Sequence, residues 1–364
     1  MKLKLQSLQM LRGIAALLVV IYHLSATTFT YFNHKFLNLT WSWVGVDVFF
    51  VLSGFLITYI HFDDIISKGS TSKYLKKRFM RIFPVYWVIL TSTVCIYIFL
   101  MNGATGHSNQ MLRLENSSTW VYLLGNYALF PIPNYVIGVA WSLAYEILFY
   151  LLFAFCILFG LRFTKSVVPL LVISILMVSF SGIRFFSFPL TFISNPIILE
   201  FFMGCLIGYL FKYKSNLLKR KHFAITLVLL TVCCFVNYGI YNSPFNRDLF
   251  SLILIGLVSS FLILGAAVLD KSGLYIVPRP FVILGDASYA IYLTHPILLS
   301  MMCRMSDKVL SGLHLKINLS LLFTIILIIT LLAGTIFHFT IEKPLLKLLN
   351  KKHSPKAYYP QVKV

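Results

Sequence analysis

Eight ionisable side chains lie inside or at the edges of long apolar runs in this chain of 364 residues: Arg12, His23, Asp47, Glu146, Glu200, Asp286, His295 and Glu342. An ion in hydrocarbon is costly, so such groups face a cavity, a partner or the membrane boundary. Imidazoles near carboxylates are the parts of a general base that takes the proton of an attacking hydroxyl. They are equally the parts of a proton relay in a transporter. Arg12 is joined by Arg78 and Arg81 at what reads as one boundary, and guanidinium groups in a cluster suit phosphate, onto which they fork in pairs.

The spacing supports a shared surface. Arg12 and His23 are eleven residues apart, which on a helix is about 20° past three full turns and about 16 Å along the axis. Both therefore share one face, with Gly13, Ala16 and Val20 beside it. Taken alone, Arg12 would serve as a snorkelling anchor and His23 as a packing residue. Asp47 opens a span and would also suit the positive end of a helix dipole. Glu146 lies deep enough that a partner is expected, His23 or His295 being the candidates. A structural hydrogen bond is expected for Glu200. Ser288, Tyr292 and His295 fall on one face of a ninth span, where Pro296 is expected to bend the helix, and Asp286 or Ser288 would suit its N-cap.

The elements that must hold these groups follow from composition. The chain is 59% hydrophobic and 12% charged, with 33 Phe, against about 25% charged residues in soluble domains. That excludes a soluble globular protein and a disordered one, leaving an all-α polytopic membrane protein. Runs of about 20 apolar residues fall near 10–29, 43–61, 84–101, 137–160, 166–183, 192–211, 222–240, 248–269, 281–303 and 317–340. Residues 119–136, interrupted by Pro131 and Pro133, read as an interfacial or re-entrant segment. The first run is expected to be a retained helix rather than a leader. One integral domain is expected over 1–364, with spans within about 10–340 and a basic tail over 341–364.

Ten spans return both termini to one side. With the termini cytoplasmic, 24 of the 31 Lys and Arg fall on the inner side and 7 on the outer, a strong positive-inside asymmetry. Orientation thus accounts for the net charge of +20 without a nucleic-acid partner. The six cysteines all lie in apolar runs, without metal-ligand spacing, and read as small buried hydrophobes; no metal is expected. Sorted by depth, His23, Asp47, Glu146, Tyr292 and His295 belong to the outer half, and Arg12, Arg78, Arg81, Asp286 and Glu342 to the inner boundary. These residues alone leave a transferase and a transporter both open.

Six motifs in order decide further: Leu11-Arg-Gly with Arg12 and His23; Gly45-Val-Asp-Val-Phe-Phe-Val-Leu-Ser-Gly-Phe-Leu-Ile57; Lys77-Arg-Phe-Met-Arg-Ile-Phe-Pro84; Trp141-Ser-Leu-Ala-Tyr-Glu146; Gly285-Asp-Ala-Ser-Tyr-Ala-Ile-Tyr-Leu-Thr-His295; and Glu342-Lys-Pro344. Together they resemble the acyltransferase 3 family of integral-membrane acyltransferases over essentially the whole chain. The resemblance implies transfer of an acyl group, commonly acetyl, from cytoplasmic acyl-CoA as co-substrate to a carbohydrate hydroxyl. Typical acceptors are O-antigen, exopolysaccharide, capsule, peptidoglycan or a lipid-linked sugar. It implies a multi-pass protein of a bacterial inner membrane, in contact with lipid, lacking the hydrolase-like domain of some relatives. On that reading His23 is the general base, with an acyl-His intermediate as the alternative, and Glu146 orients or charge-balances it. Arg12, Arg78 and Arg81 bind the CoA phosphates, while Asp47, Tyr292 and His295 serve the acceptor. Asp286 and Glu342 would pair with the arginines or touch ligand.

Overall fold

A computed structural model describes residues 5–37, 40–99, 117–181, 190–214, 249–273, 277–314 and 317–351, with 225 and 228 as isolated positions. Every regular element among them is helical. In order they are α1 (Gln6–Phe32), a 3-10 turn (Thr40–Val44), α2 (Gly45–Ile66), α3 (Thr71–Phe99), α4 (Ser117–Tyr127), α5 (Ala140–Phe159) and α6 (Leu161–Ser181). There follow α7 (Leu190–Ile193), α8 (Ile198–Tyr213), α9 (Leu249–Ser272), α10 (Arg279–Asp286), α11 (Ser288–Gly312), α12 (Leu319–Phe337), a π turn (His338–Glu342) and α13 (Lys343–Lys351).

Among the described residues, eight helical segments are long and apolar enough to cross a membrane, and the bent pair α10–α11 makes a ninth. Each overlaps one of the expected spans; the remaining expectation, 222–240, lies outside the described residues. Helix α4 has 11 residues, too short to span about 30 Å, as expected for a re-entrant or interfacial piece. It docks on α3 through its backbone: the Tyr86 hydroxyl donates to the Asn126 carbonyl (2.9 Å) and the Trp87 indole to the Tyr127 carbonyl (2.8 Å).

The frame rests on close backbone approaches. A Cβ on Gly204 would lie 2.0 Å from the Val51 carbonyl oxygen, and one on Gly54 would lie 2.1 Å from that of Phe201, so α2 and α8 touch backbone to backbone. The same device joins α1 to α2 through Gly45, whose Cβ would meet the Ala15 carbonyl oxygen at 2.3 Å. It joins α1 to α10 through Gly285, 1.9 Å from the Gln9 carbonyl oxygen by the same measure. In lipid, where apolar side chains gain nothing by leaving the solvent, small residues at such crossings are what hold helices together. The α1 N-terminus is tied down as well: Asp270 on α9 accepts from the Ser7 backbone N–H at 2.8 Å and the Ser7 hydroxyl at 2.8 Å.

Four expectations are corrected. The ninth span is broken by 69° between Asp286 and Ser288, whereas α11 continues through Pro296. The break coincides with the point where Gly285 lies against the α1 backbone, and neither Asp286 nor Ser288 caps α11, whose cap residue is Ala287. The third span begins at Thr71 rather than Pro84. Arg78 and Arg81 therefore project from within a helix that continues through Pro84, instead of preceding one. Among the cysteines, Cys156 and Cys303 are buried as expected, but Cys95 is exposed on α3.

Candidate functional site

Two cavities lie one above the other between α1, α2, α5 and α11. The first, about 80 Å³, is lined by polar groups from five helices: Arg12 of α1, Ser53 of α2, Arg78 and Arg81 of α3, Ser142 and Glu146 of α5, and Ser288, Tyr289 and Tyr292 of α11. The second, about 220 Å³, is lined by Val19, Tyr22, His23, Trp43, Val46, Val139, Trp141 and Tyr292. Val46 and Tyr292 line both.

The order of lining residues along each helix fixes the stacking. On α1 the arginine-side residue Arg12 precedes the histidine-side residues Val19 and His23. Helix α2 runs the other way, from Val46 to Ser53 and Leu56. Helix α5 passes from Trp141 to Ser142 and Glu146, and α11 from Ser288 to Tyr292, with His295, which lines neither cavity, further along α11 against the His23 ring. Antiparallel helices thus meet two levels, an arginine end and a histidine end, in agreement with the 16 Å rise estimated for Arg12 and His23.

At the arginine end Arg78 is buried, with its guanidinium carbon 5.4 Å from the Tyr74 ring centre and 5.2 Å from that of Tyr150. Two aromatic faces hold the cation, and its Nε has no hydrogen-bond partner among the described residues. Arg81 lines the same cavity and is exposed, while Arg12 is half-buried and donates to the Gln9 side chain (3.2 Å). The buried Ser288 hydroxyl, also on this cavity, has no hydrogen-bond partner among the described residues. A cavity lined by three guanidinium groups has the chemistry to hold an anion.

Glu146 stands in this arginine cavity. It accepts from the Ser53 hydroxyl (3.0 Å) and, in a short contact, from the Tyr150 hydroxyl. It is bonded to neither His23 nor His295, which corrects the partner expected for it. The reason is depth: Glu146 is one helical turn beyond Ser142, on the arginine side of Tyr292. Its carboxylate instead faces the guanidinium cluster, and Tyr150 touches both.

At the histidine end the His23 and His295 rings are 5.1 Å apart, centre to centre. His23 opens onto the larger cavity beside Tyr22 and the two tryptophans, Trp43 and Trp141. His295 is fully buried; its Nδ1 lies 3.2 Å from the Ile291 carbonyl oxygen. A ring nitrogen facing a carbonyl must carry the proton, so the neutral ring keeps its lone pair on Nε2, which has no partner among the described residues. The Tyr292 hydroxyl is held 2.7 Å from that of Ser142 and 3.3 Å from the Val139 carbonyl oxygen.

The remaining candidates are placed elsewhere. Asp47 is buried in the first turn of α2 and lines neither cavity, a position that suits a carboxylate at the positive end of a helix. Glu342, in the π turn, bonds His338 Nδ1 at 2.9 Å instead of an arginine. Glu200 is buried between α2, α8 and α9. Sequence reading missed Tyr150 and Tyr74, though both were available: Glu146 and Tyr150, like Tyr74 and Arg78, are four apart on a helix and so share a face.

A family model for the acyltransferase domain matches residues 5–339. Exopolysaccharide production protein ExoZ of Rhizobium meliloti (strain 1021) is 26% identical over 83% of this chain and 89% of its own length. Peptidoglycan O-acetyltransferase OatA of Listeria monocytogenes is 24% identical over 79% of this chain and 48% of its own. O-acetyltransferase OatA of Staphylococcus aureus is 26% identical over 80% of this chain and 50% of its own. The chain thus spans about half the length of the OatA relatives. No solved structure matches.

Proposed function

The chain belongs to the acyltransferase 3 family, and on that premise we propose that it is a multi-pass membrane O-acyltransferase moving acetyl from acetyl-CoA to a hydroxyl of a cell-surface carbohydrate. The names of the relatives, two peptidoglycan or general O-acetyltransferases and an exopolysaccharide production protein, support this class of acceptor. Both termini and the arginine end face the cytoplasm, where acyl-CoA is found; the histidine end faces outward, where the glycan is found.

The observation that carries the reading is the two-level cavity, with guanidinium groups at one level and imidazoles at the other. Arg12, Arg78 and Arg81 take the CoA phosphates, and Glu146 offsets part of their charge and orients Arg78 through Tyr150. The thioester carbonyl reaches the wall formed by Val46 and Tyr292. The acceptor hydroxyl approaches from the other side against Trp43, Trp141 and His295. His23 removes its proton as oxygen attacks the carbonyl carbon. The C–S bond breaks, the ester forms, and the proton passes to the departing CoA thiolate. This direct transfer needs one passage of the acyl group, where an acyl-His intermediate would need two.

The test is His23→Ala beside His23→Gln, both assayed for base-labile acetate on the envelope glycans of cells whose own activity is deleted. Acetylation is expected to fall at least a hundredfold with the protein still present in the membrane at normal level. Full acetylation in either variant would sink the proposal, and acetyl-CoA consumption without any esterified glycan would favour transport of the acyl group instead.

A further inference from the structure

The two cavities share one stretch of wall, and that shared wall has a defined composition. Val46 and Tyr292 alone line both sides, and each is nearly closed to solvent, at 9% and 6% exposure. The wall is also stiff. The Tyr292 ring packs edge-on to Phe49, with ring centres 5.8 Å apart, and its hydroxyl is anchored on Ser142 and the Val139 carbonyl. Ser142 itself donates to that carbonyl at 3.0 Å, so the phenol cannot swing aside without breaking a buried network. On the opposite side Val46 follows Gly45, whose Cα face is pressed onto the Ala15 carbonyl and the Val19 side chain. Helix α2 is therefore pinned to α1 at this level.

We propose that the Val46–Tyr292 wall is the determinant of acyl-chain length, admitting a two-carbon acyl group and excluding longer ones. The inference rests on the transferase reading: a carbonyl held from the arginine end must meet a hydroxyl held at the histidine end, and Val46 and Tyr292 border the place where the two cavities adjoin. A rigid constriction rejects a longer chain because the extra carbons have nowhere to go, while one methylene in an apolar pocket is worth only about 10–200-fold in rate. The wall acts on the chain beyond the carbonyl and leaves phosphate recognition, some turns away along α1 and α3, untouched.

The experiment uses membrane vesicles from cells expressing the full chain, supplied with labelled acetyl-CoA or butyryl-CoA. Label is counted as base-labile ester in the vesicles' own glycans. The acetyl-to-butyryl ratio is independent of how much protein is active, so partial misfolding does not distort it. The unaltered chain is expected to favour acetyl by at least tenfold. Val46→Ala, which removes two methyl groups from the wall, is expected to lower that ratio at least tenfold by raising butyryl transfer. Val46→Ile is expected to slow acetyl transfer while leaving the KM for acetyl-CoA within about twofold. Tyr292→Phe, which keeps the ring but frees it from Ser142, is expected to lower the ratio by a smaller factor. A ratio that stays within twofold of the unaltered chain in both Val46→Ala and Tyr292→Phe overturns the assignment, as does equal use of both donors by the unaltered chain. If the unaltered chain transfers label from neither donor, the transferase reading falls, and this inference with it.

Discussion

Arg78 is held between two tyrosines, and only one of them reaches the carboxylate opposite. Tyr150 lends its face to the guanidinium and its hydroxyl to Glu146, so a single side chain fixes the distance between a cation and an anion in the same cavity. Arginine and lysine are not equivalent here, since an ammonium neither stacks by its plane nor forks onto a phosphate. Arg78→Lys is therefore expected to raise the KM for acetyl-CoA about tenfold, or about 1.4 kcal/mol, with kcat changed much less; equal loss in both would place Arg78 in the reaction rather than in donor binding. Tyr150→Phe keeps the aromatic face and removes the donor to Glu146, a charge-assisted hydrogen bond worth about 1.5–3 kcal/mol. It is expected to lower kcat/KM about tenfold, and Tyr150→Leu to lower it further through KM, as titrations against acetyl-CoA would show. At this scale the sequence reveals the residue types and helix faces but not the pairings. Arg12 and His23 share a face, as their spacing requires, and lie at two levels. Glu146 could not be assigned, because its choice between histidine and arginine depends on where along α5 the wall falls. That is set by helices distant in the chain.

Helices were legible because apolar length is a direct requirement of the bilayer. Their crossings were less so. Gly54, Gly204 and Gly208 appear in the sequence as small residues without partners, and only the assembled bundle shows that α2 and α8 interlock through them. Gly204→Ala would place a methyl group 2.0 Å from the Val51 carbonyl oxygen, a backbone atom that cannot rotate away, so the two helices must separate. The cost is expected to be about 1–3 kcal/mol, read as a lower Tm of the detergent-solubilised protein. Gly138→Ala is the matched comparison: a Cβ there meets nothing within 4 Å, and its Tm is expected to equal that of the unaltered chain. An unchanged Tm for Gly204→Ala would mean that α2 and α8 are not in backbone contact. The bend between α10 and α11 was invisible for a related reason. Pro296 is the residue that sequence rules select, yet a helix kinks where a neighbour presses on its backbone as readily as where a hydrogen bond is lost.

At the scale of the whole molecule, charge and geometry constrain the same unknown independently. The 24-to-7 division of basic residues depends on an even number of spans; nine are accounted for among the described residues, and the apolar run 222–240, which lies outside them, is expected to be the tenth. The levels of the cavities then acquire a direction: α1 enters from the side of its own N-terminus, meets the arginine level first, and carries His23 to the far side. If 222–240 failed to cross, the helices after it would be inverted. Arg78 and Ser288, which line one cavity from α3 and α11, could then no longer lie at one depth. Fusions made after Lys214 and after Ser272 bracket the segment, and both are expected to give a fluorescent cytoplasmic reporter and an inactive exported phosphatase. A fusion after Tyr241, between the seventh and eighth spans, is expected to give the reverse. An active phosphatase after Ser272 would remove a span, move the C-terminus outside and dissolve the basis for placing acyl-CoA at the arginine end. The position of the donor therefore rests on the parity of the bundle as much as on any one arginine.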